Sequence, residues 1–181
     1  SPIGGQPYTG YPCFSAPDEF PIALQNAGFD LFLTANNHCL DRYTRGAIRT
    51  LHILDSIGAD HIGTYDSKDS FERFYPFITS IKGIRIAFLN YTYGTNGFTP
   101  HSPLIVNYID EEKIKKDIFR AKTLSADLIV ACLHWGDEYQ LLPNKRQEDL
   151  ADFLAKEGVQ LIIGAHPHVI QPMELRYDEQ G

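Results

Sequence analysis

Residues 127–168 read DLIVACLHWGDEYQLLPNKRQEDLADFLAKEGVQLIIGAHPH, and this stretch decides the fold. It contains two continuous apolar runs, 127–133 and 159–165, which are typical of strands buried on both faces. Between them, residues 144–156 predict a helix that Gly158 ends. Two buried strands joined by a helix form the unit from which parallel sheets are built. We therefore predict an α/β fold with a largely parallel sheet.

The same alternation of helices and strands extends toward the amino terminus. Helices are predicted where apolar residues recur at helical spacing: 18–27, with Asp18 as N-cap, 43–57, and 110–124, with Asp110 as N-cap. Strands are predicted where apolar residues are continuous: 29–35, 60–63, 75–81 and 84–91. The last two strands are joined by the tight turn Lys82-Gly83, which predicts a hairpin.

The charge balance excludes one large class of partners. The chain has 181 residues, with 16 Lys and Arg against 23 Asp and Glu, for a formal net charge of -7. A nucleic-acid binder needs a basic face that displaces counterions from the phosphate backbone, so we predict no nucleic-acid partner. Hydrophobic residues make up 43% of the sequence, as expected of a globular core, and its three cysteines do not form a disulfide framework.

Both ends of the sequence predict a piece of a longer protein. The chain opens at Ser1 with a loop-like segment, its one methionine is Met173, and no signal peptide is recognisable. At the other end, a predicted strand at 171–177 runs into a predicted turn at 178–181. We therefore expect a single domain, residues 1–181, that is truncated at both ends.

Four of the seven histidines lie at the carboxyl ends of predicted strands. His38 closes FDLFLTANNH, His134 closes DLIVACLH, and VQLIIGAHPH contains His166 and His168. Because the carboxyl ends of parallel strands gather at one edge of a sheet, we expect these imidazoles and the amide of Asn37 to converge. Such ligands suit Zn, Mn, Fe or related divalent ions. The remaining histidines are interpreted as structural or solvated: His52, His61 and His101.

Residues beside these histidines extend the candidate site. Asp41, three positions after His38, either accepts the imidazole N–H and raises its basicity or caps the helix that follows. Trp135, Glu138 and Tyr139 follow His134 in one loop. Glu138 is either a further ligand or a substrate contact, and the alternative for all three is a loop that packs its own aromatic rings.

Cysteine chemistry is an alternative to a metal site. Cys39 lies beside His38 and Cys132 lies near His134, so a cysteine–histidine nucleophile is conceivable. Strand alternation turns Cys132 away from His134, however, and no local signature accompanies Cys39. We interpret both cysteines as small buried hydrophobic residues.

Four segments of the sequence resemble one known family. They are YTGYPCFSAP at 8–17, ANNHCLD at 35–41, HWGDEY at 134–139 and GAHPHVIQ at 164–171. In this order they resemble the poly-γ-glutamate capsule biosynthesis proteins, the CapA family, with its patterns A-N-N-H-x-x-D, H-W-G-x-E-Y and G-x-H-P-H-V-x-Q. That family resembles the calcineurin-like metallophosphatases. The resemblance therefore implies a metallophosphatase-like αββα sandwich, here lacking its N-terminal strands.

The resemblance also implies roles for the residues at the strand ends. It implies two divalent ions of the Mn, Fe or Zn type that bind a phosphoester between them. Asn37, His134 and His166 would bind one ion and His168 the other, while His38 would protonate the leaving group. The expected site residues are catalytic His38 and Asp41, substrate-binding Trp135, Glu138 and Tyr139, and metal-binding Asn37, His134, His166 and His168.

Departures from the family pattern bear on metal binding. The Gly-Asp motif and a later acidic residue, which supply and bridge the ions in the family, would lie before Ser1, and Tyr43 stands where the family has glycine. Neutral imidazoles alone do not offset the charge of two dications. We therefore expect these 181 residues to hold metal weakly or not at all.

The resemblance implies a protein of poly-γ-glutamate capsule or exopolymer biosynthesis at the bacterial cell envelope. As an enzyme, the full-length protein would be a metal-dependent, phosphoesterase-like hydrolase acting on an anionic polymer or a phosphorylated substrate. The alternative is a non-catalytic accessory or polymer-binding component that contacts other capsule-synthesis proteins. Arg42, Arg45 and Arg49 lie where they would attract an anionic substrate, and an exposed helix face explains them equally well.

Overall fold

The structure is a computed structural model that describes residues 8–177, so the loop-like start before Tyr8 and the turn predicted at 178–181 lie outside it. The helices are α1 (Glu19–Asn26), α2 (Tyr43–Ser56), α3 (Lys68–Phe74), α4 (Glu111–Thr123) and α5 (Lys145–Lys156). The strands are β1 (Leu31–Leu33), β2 (Asp60–Ile62), β3 (Thr64–Tyr65), β4 (Phe77–Ile81), β5 (Ile84–Thr92), β6 (Ile105–Val106), β7 (Leu128–His134) and β8 (Leu161–Ala165).

The largest sheet has four strands in the order β4-β5-β7-β8. β5, β7 and β8 run parallel to one another, while β4 is antiparallel to β5. The predicted hairpin is confirmed, and both residues of its turn, Lys82 and Gly83, have positive φ angles of 52° and 87°, as a tight two-residue turn requires. The predicted α/β fold with mostly parallel strands is therefore present.

The main core lies between this sheet and helices α4 and α5. Both helices present apolar residues at helical spacing, and each begins at a side-chain cap: Asp110 accepts from the Lys113 N–H, and Asn144 forms a capping box with Gln147. The buried residues of this core come from β5, β7, both helices and two tyrosines before β5, and include Tyr65, Tyr75, Leu89, Tyr91, Ile114, Ile118, Ile129, Leu133 and Leu154.

Two small sheets complete the described fold. β1 pairs in parallel with β2, and β3 pairs antiparallel with β6. Sequence patterns did not predict β3, β6 or α3, because two-residue strands are too short to show alternation and α3 is a polar seven-residue helix. The cap of α3 is local, since the Ser67 side chain accepts from the Ser70 N–H.

Two predictions about local structure are wrong, and a third, the Asp18 N-cap, is confirmed in position only. The strand predicted at 159–165 was expected to be buried on both faces, but β8 is an edge strand and four of its five residues are exposed. Residues 171–177 form no strand; instead Gln171 donates hydrogen bonds to the carbonyl oxygens of Gln140 and Leu142, which hold the start of this segment to a loop. Asp18 occupies the N-cap position of α1 without a capping bond. Its carboxylate oxygens instead accept from both terminal nitrogens of Arg49, at 2.7 and 2.6 Å, because a bidentate guanidinium contact is the stronger partner.

One buried amide joins the β1–β2 sheet to the four-stranded sheet. Asn90 on β5 is 2% exposed; its Oδ1 accepts from the Ala35 N–H at 2.9 Å, and its Nδ2 donates to the Cys132 carbonyl at 3.1 Å. Gly63 makes room for this amide, since a Cβ there would lie 2.1 Å from Asn90 Oδ1. Every helix within residues 8–177 is too short or too polar to cross a bilayer.

We expect Asn90→Ala to destabilise the protein, because the Ala35 N–H would remain buried without its partner and the sheets would lose the amide that joins them. An unpaired buried donor costs about 1–3 kcal/mol, so the loss should be on the order of 2 kcal/mol in the free energy of unfolding. Urea denaturation measures it. Asn26→Ala at the exposed end of α1 is the matched control and should change stability by less than about 1 kcal/mol. Equal stability of the two variants would contradict the role of the Asn90 amide.

Candidate metal centre

Two neighbouring strands place histidines side by side at one edge of the sheet. β7 ends at His134, and His166 directly follows β8, whose last residue Ala165 is paired with His134. The rings of His134 and His166 have their centroids 4.8 Å apart, and the centroids of His166 and His168 are 6.1 Å apart. Strand register thus brings together three of the imidazoles predicted to converge.

Asn37 reaches the same place from the other sheet. It lies in the loop after β1, is 5% exposed, and its Oδ1 is 2.9 Å from His134 Nε2. Its Nδ2 donates to Asn96 Oδ1 at 3.2 Å, which leaves Oδ1 directed at the imidazole. An amide oxygen and an imidazole nitrogen at this separation can serve as two ligands of one ion.

Burial keeps the central imidazoles neutral. Burial, together with the charges of His166, His38 and His168, lowers the pKa of His134 from 6.5 to about 4, and burial has the largest effect. Burial also lowers the pKa of His166, although the Glu138 carboxylate opposes that effect. Neutral imidazole is the form that binds metal, so both side chains are in the required state at neutral pH.

A second group consists of Glu138, His166 and His168. One ligand atom from each lies within 4.8 Å of the others, and His168 Nε2 is 3.9 Å from Glu138 Oε1. His166 Nδ1 is buried and has no hydrogen-bond partner in the described part of the chain. The group contains two imidazoles and a carboxylate, a combination suited to Zn, Mn or Fe ions.

The backbone around this group is strained. His166 and His168 have φ angles of 104° and 59°, and Tyr139 has a φ of 61°, although side chains rarely adopt positive φ. The two loops that carry these residues are joined where the Tyr139 N–H donates to the Pro167 carbonyl at 2.7 Å. Strain that surrounding contacts maintain is typical of functional sites.

His38 and Asp41 form the ion pair that the sequence left open. His38 Nδ1 lies 2.8 Å from Asp41 Oδ2, which also accepts from the Phe14 N–H at 2.8 Å. Helix α2 has no side-chain cap, so Asp41 does not act as one. The Asp41 side chain is 3% exposed and that of His38 is 27% exposed, so a buried carboxylate orients an imidazole that solvent can reach.

The three candidate substrate-binding residues of the loop after β7 do not all lie at the site. The partly buried Trp135 packs against the hydrophobic core, while Tyr139 is 69% exposed and stacks on His168 with centroids 5.8 Å apart. Glu138 lies with the histidines. The structure therefore favours core packing for Trp135 and brings Glu138 and Tyr139 to the site.

Residues outside the cluster have other partners. His52 and His61 lie beside Asp66 and Asp55, at 3.5 and 3.0 Å, away from the site histidines. The backbone of His101 donates to Thr44 Oγ1. In the predicted basic patch, Arg49 binds Asp18, and Arg42 donates to Thr9 Oγ1.

The cysteine alternative receives no support from the thiols. Burial raises the pKa values of Cys39 and Cys132 to about 11 each. A nucleophilic cysteine requires a thiolate near neutral pH, which calls for a lowered pKa. Cys132 is buried, as interpreted from the sequence, whereas Cys39 is partly buried and packs against the smaller core cluster.

Sequence patterns missed two residues that contact the site. Tyr93 follows β5, and its ring lies parallel to that of His134, at 7° with centroids 6.3 Å apart. Asn96 accepts from Asn37, and its Nδ2 is 3.4 Å from His38 Nδ1. The rule used for the histidines, that strand ends converge, would have pointed to Tyr93 as well if it had been applied to β5.

Comparison with known sequences identifies similar proteins along most of the chain. Residues 1–180 match the family model of the bacterial capsule synthesis protein PGA_cap. The capsule biosynthesis protein CapA of Bacillus anthracis is 32% identical over 171 residues, covering 89% of this chain and 40% of that protein. The PGA biosynthesis protein CapA of Bacillus subtilis strain 168 is 30% identical over 169 residues, covering 84% and 40%. The chain thus spans about two fifths of the length of these relatives.

Solved structures with a similar fold are nucleotidases. The NAD nucleotidase NadN of Haemophilus influenzae matches with a TM-score of 0.58 at 16% identity, covering 83% of this chain and 26% of that one. A 5′-nucleotidase precursor from Thermus thermophilus matches with a TM-score of 0.53 at 18% identity, covering 83% and 28%. The metallophosphatase-like α/β fold is thereby confirmed for the part of the chain that these matches cover.

The lowered pKa of His134 predicts that metal-free protein loses stability in acid. Between pH 6.5 and about 4 the unfolded chain binds a proton at His134 that the folded chain does not, so the free energy of unfolding should fall as pH falls through this range. NMR titration should show His134 neutral down to about pH 4. His134→Gln should reduce the pH dependence, and His52→Gln should retain it. A His134 that titrates near pH 6.5 would contradict the effect of burial.

Proposed function

The chain belongs to the PGA_cap family of bacterial capsule synthesis proteins, and from this we propose that it supplies a metal-dependent, phosphoesterase-like hydrolase site for capsule polymer biosynthesis. The observation that carries the proposal is the meeting of Asn37 and His134. These residues come from different sheets, and their oxygen and nitrogen atoms approach to 2.9 Å beside the Glu138, His166 and His168 group. A role in folding alone does not require so many ligand-type atoms at one edge of the sheet.

The residues at this edge fit a divalent ion by their chemistry. The amide oxygen of Asn37 and the imidazole of His134 would hold an ion on one side, and Glu138, His166 and His168 would hold an ion on the other. The buried Nδ1 of His166 lacks a partner among residues 8–177, as expected of a nitrogen available for a ligand bond. When bound, such an ion would polarise a phosphoryl oxygen and offset negative charge at the reacting group.

His38 supplies the proton donor of the proposed site. Its Nδ1 is held by Asp41 Oδ2, and Asp41 is fixed in turn by the Phe14 N–H. The buried carboxylate selects one ring orientation through this contact. We assign to His38 the transfer of a proton to the leaving-group oxygen, and to Asp41 the orientation of that imidazole.

The electrostatics favour a substrate that depends on a cation for binding. The chain carries a formal charge of -7, and Asp137 and Glu138 both lie near His166. An anionic polymer such as poly-γ-glutamate, or a phosphorylated substrate, would be repelled without bound cations. Arg42 and Arg45 are the basic residues nearest in sequence to His38 and would aid binding. The relatives are named as capsule and PGA biosynthesis proteins, which supports a role in capsule synthesis, a cell-envelope setting and other capsule-synthesis proteins as partners.

Because Glu138 adds a carboxylate to the imidazoles, we expect the metal-free chain to bind Zn²⁺ or Mn²⁺, weakly and through Glu138, which calorimetry would measure. Loss of a partner that merely supports a ligand costs about 10–100-fold in metal affinity, so Glu138→Gln should cost at least about tenfold. Asp137→Asn is the matched control, because it removes the same charge from a residue that bonds Asn144. Its affinity should stay within about threefold of the parent. Equal losses of metal affinity in the two variants would contradict a ligand role for Glu138, because they would show that only its negative charge matters.

Hydrolysis by the full-length protein tests the enzyme directly. With Mn²⁺ present and an aryl phosphate ester as substrate, His38→Ala should lower kcat by about 100-fold or more, since general acid catalysis contributes that much. Metal affinity should be unchanged, because His38 is not among the proposed ligands, and His52→Ala should match the parent. Full capsule polymer production by His38→Ala cells would instead support the non-catalytic accessory role.

A further inference from the structure

Tyr93 lies at the boundary between the two groups of proposed ligands. It directly follows β5, which pairs with β7 along seven residues up to the pair Thr92 and His134. The Tyr93 N–H donates to the His134 carbonyl at 3.0 Å, so the two backbones remain joined one residue beyond the ladder. The position of the Tyr93 ring is therefore set by the same strand register that sets His134.

The Tyr93 ring contacts one imidazole from each group. It is parallel to His134, with centroids 6.3 Å apart and an interplanar angle of 7°. It is tilted by 41° against His166, with centroids 4.8 Å apart. Aromatic rings at these separations favour particular relative orientations, so the Tyr93 ring favours one orientation of each imidazole over another.

The Tyr93 side chain is neutral where it meets these rings. Burial has the largest effect on its ionisation and raises the pKa of Tyr93, so the phenol stays protonated at neutral pH. The Glu138 carboxylate acts in the same direction. Tyr93 therefore acts on the two imidazoles through the contacts of its ring.

We propose that Tyr93 is a positioning residue that orients the imidazoles of His134 and His166 through its ring. The proposal deepens the hydrolase site, and its metal-binding consequence rests on that proposed function. Metal-binding imidazoles are ordinarily oriented by a hydrogen bond to the second ring nitrogen. His166 Nδ1 is the nitrogen proposed to bind the ion, and the Tyr93 ring supplies an orienting contact for this imidazole.

Tyr93 can be replaced without opening the core. Its side chain is 48% exposed, and it is absent from both clusters of buried residues. Two substitutions separate its contributions: Tyr93→Phe removes only the hydroxyl, and Tyr93→Leu removes the ring as well. Tyr139→Leu is the matched control, since Tyr139 stacks on His168 and has a similar exposed phenol.

The first measurement needs no metal. Imidazole tautomers and NOEs from the ring protons should show a changed ring orientation for His134 and His166 in Tyr93→Leu and the parent orientation in Tyr93→Phe. Orientation is the readout because loss of an aromatic ring moves nearby chemical shifts by itself. Tyr139→Leu should reorient His168 and leave His134 in place. A purely structural role for Tyr93 would instead lower the thermal midpoint without these selective changes of orientation.

The second measurement is Zn²⁺ affinity by calorimetry. We expect Tyr93→Leu to weaken binding about tenfold, as the loss of a residue that supports ligands does, and Tyr93→Phe to weaken it less. Unchanged His134 and His166 orientations in Tyr93→Leu would overturn the proposal, whether or not the parent binds metal. Absence of Zn²⁺ binding by the parent would count against the proposed function alone. If the leucine variant fails to fold, Tyr93→Met takes its place, and unchanged imidazole orientations in that variant would overturn the proposal.

Discussion

The side-chain amide of Asn90 is the contact on which the geometry of the site depends. It binds the backbone at Ala35 and at Cys132, each two residues before a side chain of the site, Asn37 and His134. Those two side chains belong to different sheets, and in the described structure this buried amide joins the sheets just before them. A hydrogen bond in a buried setting is strong and directional. The Asn90 side chain therefore helps to set the distance between the end of β1 and the end of β7.

The loops beyond the strands are held in the same manner, by buried amides that tolerate little change. Gln147 is buried at the start of α5, and its Nε2 donates to Gln171 Oε1, which connects the helix to the segment after the histidine pair. Gly136, with a φ of 87°, comes so close to Gln147 that a Cβ would lie 2.7 Å from its amide carbon. These contacts maintain the positive φ angles at His166 and His168, because other backbone conformations there would break the hydrogen bonds before and after the histidine pair. The site is therefore organised before any ligand arrives.

Sequence patterns predicted the parts of the fold whose signals are strong. The apolar runs of β5 and β7 and the periodic helices α4 and α5 were found because burial selects such patterns over many residues. The apolar run of β8 also predicted a strand, but β8 lies at an edge of the sheet and four of its five residues are exposed rather than buried. Convergence of His134, His166 and His168 followed from strand direction alone. Tyr93 was missed because the rule of converging strand ends was not applied to β5, and Asn96 because it lies in the loop beyond that strand. Asp18 occupies the predicted N-cap position but binds Arg49, which is distant in sequence, instead of capping the helix.

The close packing at Gly63 also has a consequence for how this sequence can diverge. A Cβ at position 63 would lie 2.1 Å from the Asn90 amide oxygen and 2.5 Å from the Ala35 nitrogen, and the φ of 110° there would strain such a residue further. Loss of the amide would therefore not admit a larger residue, because the Ala35 backbone occupies the same space. Position 63 is the more constrained of the two, so we expect its glycine to be inherited even where position 90 varies.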